Sequence, residues 1–338
     1  MNEHKNRMIG VIGSGSWATA LVKILLEKKG FSINWWVRNA EARQSLASTG
    51  HNSRRLSELY LDPSRLNLSG ELAEIVSSSD LLLLAVPSAY LGQTLFSLSA
   101  KDYEGKRFVS AVKGTIPDCC MSISDYLEQV LHIAKENICV VSGPSHAEEV
   151  ATGMATFLTV ASTNNSFAKE VAEMLHCSYC HTSTTQDIVG IEHFVLAKNI
   201  YAIAAGICQG LGYGDNLNAV LTCAAIREIK VQLDKYLPLE GRHMDNYCYL
   251  GDLMVTCWSS HSRNRALGVA VAHGEKPQEV FERTGSVAEG YYSVKNMHTI
   301  YERLGNTDSI PISEAVYRVL YCDADPKSEM DYLIDHVF

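Results

Sequence analysis

Hydrophobic residues in the first half of the chain form short runs of strand length, each followed by a polar or helical segment. We expect buried strands at 8–12, 33–37, 80–86, 107–112, 138–141 and 156–161. The run at 80–86 is continuously apolar, which is typical of a central parallel strand covered on both faces. This alternation of strands and helices predicts a doubly wound α/β sheet, and 156–161 with the helix at 166–175 looks like its last βα unit.

The pattern changes near residue 190, where long helical segments replace the strands. A mostly apolar helical run occupies 190–214, a further helix is expected at 218–233, and another begins near 251 after a polar, irregular connection at 241–249. We therefore predict a doubly wound α/β domain of Rossmann type over residues 1–188 and an all-α domain over residues 189–338.

A glycine-rich turn follows the first predicted strand and opens a helix. Its sequence runs from Gly13 through Gly15 to Ala18, which is the dinucleotide-binding pattern with alanine in the third glycine position. Gly13 permits the tight turn, and Gly15 lets a pyrophosphate approach the helix N-terminus. The alternative is a glycine-rich turn without a ligand.

The second predicted strand ends at Arg38, where an NAD-selective fold usually carries an acidic residue for the ribose. A cation at this position favours the 2′-phosphate of NADP, unless Arg38 is simply a solvated surface residue. Lys113 and the segment from Gly143 to Ser145 follow two later strands, at the edge where open α/β sheets bind ligands.

Lys198 lies in the middle of the apolar helical run. Its neighbours one turn away are all uncharged, so burial would lower its pKa and suit it to proton transfer. The alternative is a lysine whose stem is buried and whose ammonium reaches solvent.

Two polar clusters follow in the helical half. Asp252 and Thr256 lie four residues apart and share one face of a predicted helix, and Ser262, Arg263 and Asn264 form a compact basic and amide group. Taken singly, an aspartate such as Asp252 is more often a helix cap, and an arginine such as Arg263 is more often a surface charge.

Composition narrows the class of protein. The 338 residues are 46% hydrophobic and 20% charged, with a net charge of −9, as in an ordinary globular protein of two domains. The negative charge argues against broad nucleic-acid or acidic-membrane binding but leaves room for a local anion pocket. We expect no signal peptide and no apolar stretch long enough to cross a bilayer, which favours the cytoplasm.

The ten cysteines do not predict a disulfide scaffold in a chain of this length. Cys177 and Cys180, flanked by His176 and His181, are open to interpretation as a metal or redox pair. Because no second ligand pair is evident at suitable spacing, we expect reduced, half-buried strand residues and no metal site.

Ten segments, in order, identify a family that the chain resembles: the bacterial NAD(P)-dependent glycerol-3-phosphate dehydrogenases. They are GSGSWATAL, WVRNAE, AVKG, SGPSHAEEV, LAKNIYAIAAGI, GLGYGDN, GDLMVTC, HSRNRALG, VAEG and PISEAVYRVLY. The resemblance covers nearly the whole chain. It implies reversible reduction of dihydroxyacetone phosphate to glycerol 3-phosphate for glycerophospholipid synthesis, with NAD(P)H as cofactor and a small phosphorylated substrate. The sequence does not fix the oligomeric state, and a homodimer is one of the states it leaves open.

The resemblance also implies roles for individual residues. Lys198 would be the general acid/base, Asp252 would steady its ammonium, and Lys113 would bridge cofactor and substrate. The implied substrate contacts, besides Lys113, are Gly143, Ser145, Asn199, Asp252, Thr256, Ser262, Arg263 and Asn264. The implied cofactor contacts are Gly13, Gly15, Ser16, Trp17, Arg38, Lys113, Ala147, Arg263, Val287 and Glu289.

Three departures from the family pattern stand out. Phe194 and Val195 replace a pair of glycines before Lys198, Ala224 stands where the family usually has an arginine, and 241–250 replaces a more apolar, glycine-rich approach. Two alternatives to the implied function are a related hydroxy-acid or sugar-acid dehydrogenase, and a catalytically silent nucleotide-sensing protein whose pocket Phe194 and Val195 close.

Overall fold

The structure is a computed structural model that describes residues 8–117 and 119–338. Contacts divide the chain into two compact units. The first comprises Met1–Val112 and Ile123–Ile188, and the second comprises Val189–Phe338 together with Lys113–Ser122. The short segment that carries Lys113 thus leaves the sheet unit and packs with the helical unit.

Eight strands form one sheet within the described residues, in the order β3-β2-β1-β4-β5-β6-β7-β8. The strands are β1 (Ile9–Ile12), β2 (Ile33–Trp36), β3 (Leu66–Ser69), β4 (Leu81–Leu84), β5 (Arg107–Ser110), β6 (Ile138–Ser142), β7 (Thr156–Ala161) and β8 (Cys180–Thr185). The first six are parallel, and their order is the one expected of a doubly wound dinucleotide-binding fold. Every residue of β1 and β4 is buried, because helices cover both faces of the sheet centre.

The sheet departs from the predicted pattern at its far edge. β7 pairs antiparallel with β6, and β8, which the hydrophobic pattern did not predict, pairs parallel with β7. One more strand, β8, therefore follows the βα unit formed by 156–161 and its helix. β8 is short of apolar residues because it lies at the edge, with only its first residue, Cys180, buried.

Helices of the first unit cover the sheet. They are α1 (Ser16–Leu26), α2 (Ala40–Thr49), α3 (Leu72–Ser77), α4 (Ser88–Phe96), α5 (Ile123–Gln129), α6 (Ala147–Ala151) and α7 (Asn165–Leu175). Short 3₁₀ turns lie at Pro63–Arg65, Ala100–Tyr103 and Lys135–Asn137. The apolar face of α1, including Leu21 and Leu25, is fully buried in the same cluster as Val11 and Trp35. That packing fixes the glycine turn between β1 and α1.

The second unit is helical. Its helices are α8 (Ile188–Gly210), α9 (Asp215–Tyr236), α10 (Asp252–Trp258), α11 (Arg263–Ala272), α12 (Pro277–Thr284), α13 (Glu289–Arg303), α14 (Pro311–Tyr321) and α15 (Pro326–His336), with a 3₁₀ turn at Thr307–Ser309. Ala224, the second departure from the family pattern, is buried on α9.

The structure differs from the sequence-based predictions at two further places. The polar connection at 241–249 is not irregular throughout, because Tyr247–Gly251 forms a π-helical turn that runs directly into α10. The expectation that no segment is long enough to cross a bilayer is also wrong by length and composition, since α8 passes that test. However, 89% of its most apolar window is buried inside the protein, as in the core helix of a globular unit.

Candidate active site

The glycine turn after β1 is held by its tertiary surroundings. Gly13 has a φ of +119°, and a Cβ at this position would lie 2.5 Å from the backbone oxygen of Ala85. The indole nitrogen of Trp35 donates a hydrogen bond of 2.6 Å to the Gly13 carbonyl. Only glycine fits this position, for reasons of both backbone angle and space.

Gly15 differs from Gly13, because nothing lies within 4 Å of a Cβ built on it. It is the N-cap of α1, so the first amide groups of that helix have open space beside them. An open helix N-terminus of this kind attracts a phosphate. The residues present therefore fit a dinucleotide cofactor.

Asn52 supports this loop and was missed in the sequence. Its amide nitrogen donates to the Ser14 carbonyl at 3.2 Å and to the Thr19 hydroxyl at 2.9 Å. The Thr19 hydroxyl in turn donates to the Gly15 carbonyl at 3.0 Å. Asn52 lies in a polar stretch with no periodic signal, so only the fold reveals its role.

The remaining predicted cofactor residues of the first unit lie at element ends. Ser16 is the first residue of α1, Trp17 packs partly buried against the sheet core, and Ala147 opens α6. Arg38 is exposed just beyond β2, and it has no ion-pair partner among the described residues. Its guanidinium is thus accessible to an anionic group.

Gly143 and Ser145 occupy the turn after β6. Gly143 has a φ of +138°, and a Cβ there would lie 2.2 Å from the Phe157 carbonyl of the antiparallel neighbour β7. The Ser145 hydroxyl donates to the Gly143 carbonyl at 2.8 Å. Both residues thus shape their own turn, and their predicted contact with substrate stays a prediction.

In the second unit, Lys198 of α8 forms an ion pair with Asp252, the first residue of α10. Each side chain is only 1% exposed, so Lys198 does not reach solvent as the alternative interpretation required. The two residues are distant in sequence, and the fold alone brings them together. A fully buried charge pair is costly to form and is characteristic of functional sites.

Burial lowers the pKa of Lys198 to about 8. The carboxylate of Asp252 opposes this shift, while the positive charge of Lys113 adds to it. Lys113 and Lys198 belong to the same compact unit, although they are distant in sequence. A lysine with this pKa can both donate and accept a proton near neutral pH.

Two neighbours on α10 complete the surroundings of this pair. The hydroxyl of Thr256 donates to the backbone carbonyl of Asp252, one turn earlier, at 2.5 Å. Cys257 is buried beside Lys198 and Asp252, and burial raises the pKa of its thiol to about 12. Cys257 therefore stays protonated and adds no charge to the site. Nothing in the sequence distinguished it from the other cysteines.

Asn199 carries a buried amide group with unused hydrogen-bonding capacity. Its oxygen accepts a hydrogen bond of 2.9 Å from Asn264, whereas its amide nitrogen is buried without a partner among the described residues. Such a donor is costly unless a ligand satisfies it. Asn199 directly follows Lys198, so this orphan donor lies next to the buried lysine.

Asn264 links three helices of the second unit. It donates to Asn199 on α8, and its oxygen accepts from the Gly290 amide on α13 at 2.9 Å. Gly290 is required here, because its Cβ would lie 2.6 Å from the Asn199 carbonyl. Helices α8 and α11 are in close contact at Gly206, where a Cβ would lie 2.1 Å from the Arg265 carbonyl oxygen. This close contact brings Asn264 within hydrogen-bonding distance of Asn199.

The N-terminus of α11 carries the basic cluster predicted to bind phosphate. Ser262 is its N-cap, and the serine hydroxyl accepts from the Arg265 amide at 3.3 Å. Arg263 is the first helical residue and is exposed, so its positive charge adds to that of the helix end. Val287 and Glu289 lie at the start of α13, both partly buried.

The structure gives no support for a metal site in the part of the chain that it describes. Residues 8–117 and 119–338 contain no group of three or more histidine, cysteine, aspartate or glutamate side chains placed to hold a metal ion. None of the ten cysteines, all of which lie in the described residues, forms a disulfide bond. Cys180 is buried at the start of β8, and Cys177 is partly buried just before it.

Comparison with known proteins places these residues in a family context. The family model for the N-terminus of NAD-dependent glycerol-3-phosphate dehydrogenase matches residues 8–168, and the model for the C-terminus matches residues 187–331. The curated glycerol-3-phosphate dehydrogenase (NAD(P)+) of Anaeromyxobacter sp. (strain K) is 35% identical over 325 residues, covering 96% of each chain. The corresponding protein of Syntrophomonas wolfei is 35% identical and covers 96% of this chain and 94% of its own.

Solved structures agree with the sequence comparison. The glycerol-3-phosphate dehydrogenase of Coxiella burnetii superposes with a TM-score of 0.89 at 27% identity, covering 98% of this chain and 99% of its own. A D-mandelate dehydrogenase reaches a TM-score of only 0.59 at 13% identity, which shows a shared fold and no more. The chain therefore belongs to the NAD-dependent glycerol-3-phosphate dehydrogenase family.

Proposed function

We propose that this protein catalyses the reversible NAD(P)H-dependent reduction of dihydroxyacetone phosphate to sn-glycerol 3-phosphate, a precursor of glycerophospholipids. The observation that carries the proposal is the buried Lys198–Asp252 ion pair beside the unpartnered amide of Asn199. These groups can exchange a proton with an oxygen atom and donate a hydrogen bond to it, as carbonyl reduction requires.

We assign cofactor binding to domain 1–188, with the phosphates at the glycine turn and the N-terminus of α1. Gly13 keeps the turn tight and Gly15 leaves the space open, which supports this assignment. The exposed cation of Arg38 suits the 2′-phosphate of NADP, so we propose a slight preference for NADPH over NADH. The bound nicotinamide would supply the hydride.

We assign the proton chemistry to domain 189–338, together with Lys113. Reduction of the ketone leaves an alkoxide at carbon 2, and Lys198 would give it a proton. Asp252 would hold the lysine ammonium in place, while Lys113 and Asn199 would stabilise the charge that develops on the oxygen. In the reverse direction the neutral Lys198 amine would take the proton from the hydroxyl group.

The substrate phosphate requires several donors and positive charge. Arg263 at the N-terminus of α11 supplies both a guanidinium and a favourable helix end. Asn264 has most of its hydrogen-bonding capacity engaged with Asn199 and Gly290, so we assign it mainly to holding the Asn199 amide in place. Ser262 would contribute indirectly, because its side chain caps the N-terminus of the same helix.

A spectrophotometric assay tests this function. The purified protein should oxidise NADPH, and more slowly NADH, when dihydroxyacetone phosphate is added, with little turnover of keto acids. Comparable rates on keto acids would favour the alternative dehydrogenase. Cofactor binding without substrate-dependent oxidation would favour a silent nucleotide sensor.

We further propose that the protein acts in the cytoplasm as a homodimer, without membrane insertion or nucleic-acid binding. The buried position of α8 supports the absence of insertion. Sedimentation analysis of the full chain, with and without liposomes, tests the homodimer and the absence of membrane insertion. A monomer, or a protein that co-sediments with the liposomes, would contradict them.

A further inference from the structure

Phe194 lies one helical turn before Lys198, where the family pattern leads us to expect a glycine. It is fully buried. Residues four apart on a helix share a face, so the Phe194 ring and the Lys198 side chain are directed toward the same side of α8. A large apolar group has thus been added next to the buried lysine.

The partner of Phe194 is Tyr249, which is also buried. The two ring centroids are 5.1 Å apart and the ring planes meet at 85°, an edge-to-face contact. This arrangement is favourable for aromatic pairs, because the positive edge of one ring faces the negative face of the other. Tyr249 belongs to the 241–250 segment, so two of the departures from the family pattern contact each other.

The ring pair and the ion pair join the same two elements. Phe194 and Lys198 lie four apart on α8, while Tyr249 and Asp252 lie three apart on the π-helical turn and the start of α10. Two contacts one turn apart fix both the separation and the rotation of the two elements. The aromatic contact therefore constrains the geometry of the ion pair.

We propose that Phe194 and Tyr249 are positioning residues that hold Lys198 against Asp252 and keep water away from this pair. The proposal rests on the acid/base role of Lys198 given above. Burial is the largest influence on the proton affinity of Lys198, and the other groups that act on it are Asp252, Lys113 and Cys257. A side chain that maintains this burial therefore affects how the lysine titrates.

The test compares Phe194→Leu and Tyr249→Leu with the double variant. Each single variant should lower kcat for dihydroxyacetone phosphate about tenfold, with little change in KM, because a misplaced acid slows the chemical step. The alkaline limb of the kcat profile should move to higher pH, since water that reaches Lys198 favours the ammonium. The double variant should lose no more than either single variant, because both remove one contact.

Matched controls separate positioning from general damage. Tyr249→Phe keeps the ring and should retain the wild-type rate and profile. Phe281→Leu breaks another edge-to-face contact in the same unit, between Phe281 and Tyr291 at 5.2 Å and 79°, and should lower the melting temperature without moving the pH profile. Phe194→Met preserves most of the volume and replaces Phe194→Leu if the leucine variant does not fold.

The outcomes are distinct. If the wild type reduces dihydroxyacetone phosphate and Phe194→Leu keeps its kcat and pH profile, the positioning role is wrong even if the melting temperature falls. An equal shift in Phe281→Leu would also overturn it. If the wild type itself shows no reductase activity, the proposed function fails first.

Discussion

The glycine turn of the first unit and the surroundings of Lys198 in the second are organised in opposite ways. Gly13, Gly15 and Ala18 lie within six residues, and their neighbours along the chain already define a strand, a turn and a helix. Lys198 depends on Asp252, and Asn199 on Asn264, which is 65 residues away. A site built from residues that are adjacent in sequence (a local site) can be predicted from the sequence. A site built from residues that are distant in sequence (a long-range site) can be identified only from the fold or from a family resemblance.

The largest expected effect tests the long-range site. Lys198→Ala should lower kcat by about 10³- to 10⁴-fold, because it removes the proton donor, while NADPH still binds to the other unit. Steady-state kinetics and NADPH fluorescence titration measure the two effects. Lys230→Ala, which removes an exposed lysine paired with Asp234, should have no effect on kcat. Near wild-type turnover in Lys198→Ala would remove this lysine from the mechanism.

Arg263→Ala tests whether the N-terminus of α11 recognises phosphate. We expect kcat/KM for dihydroxyacetone phosphate to fall about 100-fold, as for loss of a charged hydrogen bond, with a much smaller change for unphosphorylated dihydroxyacetone. Kinetics on both substrates measure the difference, and Arg303→Ala, an exposed arginine in the same unit, is the control. An equal loss of kcat/KM on both substrates would show that Arg263 does not recognise the phosphate group.

The two glycines of the local site should respond differently. Gly13→Ala should reduce the free energy of unfolding by about 2 kcal/mol, because the residue has positive φ and no space for a Cβ. Gly15→Ala should leave stability nearly unchanged and weaken NADPH binding, since its Cβ would occupy the open space beside the helix end. Urea unfolding and NADPH titration separate the two effects. Equal stability losses would contradict the distinction.

Glu228 offers a pH test of packing in the second unit. It accepts hydrogen bonds from the Ile312 and Ser313 amides and from the hydroxyls of Ser313 and Tyr201. Burial raises its pKa to about 7, although these donors oppose the shift. Between its unfolded value of 4.5 and about 7 the folded state keeps a proton that the unfolded state has lost, so stability falls as pH rises through this window.

Glu228→Gln should remove most of that pH dependence, which is on the order of 2 kcal/mol. Urea unfolding at pH 5 and pH 8 measures it, with the exposed Glu282→Gln as control. A wild type that is equally stable at the two pH values would refute the raised pKa.

The smallest effect concerns cofactor choice at the local site. Arg38→Ala should lower the preference for NADPH over NADH about fivefold, as expected when an exposed guanidinium no longer interacts with the 2′-phosphate. The ratio of kcat/KM for the two cofactors measures it, and Arg55→Ala, an exposed arginine of the same unit, serves as the control. An unchanged ratio would make Arg38 an ordinary surface residue.

Prediction of the fold from the hydrophobic pattern was most successful at the sheet centre. β1 and β4 are continuously buried, because helices cover both faces of the sheet at its centre. An uninterrupted apolar run in the sequence therefore indicates a central strand. β3 and β8 were missed, since edge strands bury few residues and carry no such run. The reversed direction of β7 has no signature in its own sequence, because strand direction depends on its partner.

The sequence by itself determined the doubly wound sheet, the change to a helical second half and the glycine turn, because each depends on residues within about one helical turn or one strand. The motifs also identified the family. Tertiary structure alone decided that Lys198 is fully buried and ion-paired with Asp252, that Asn264 fixes Asn199, and that Phe194 contacts Tyr249. Burial and partner choice are set by segments distant along the chain, so no local pattern carries them.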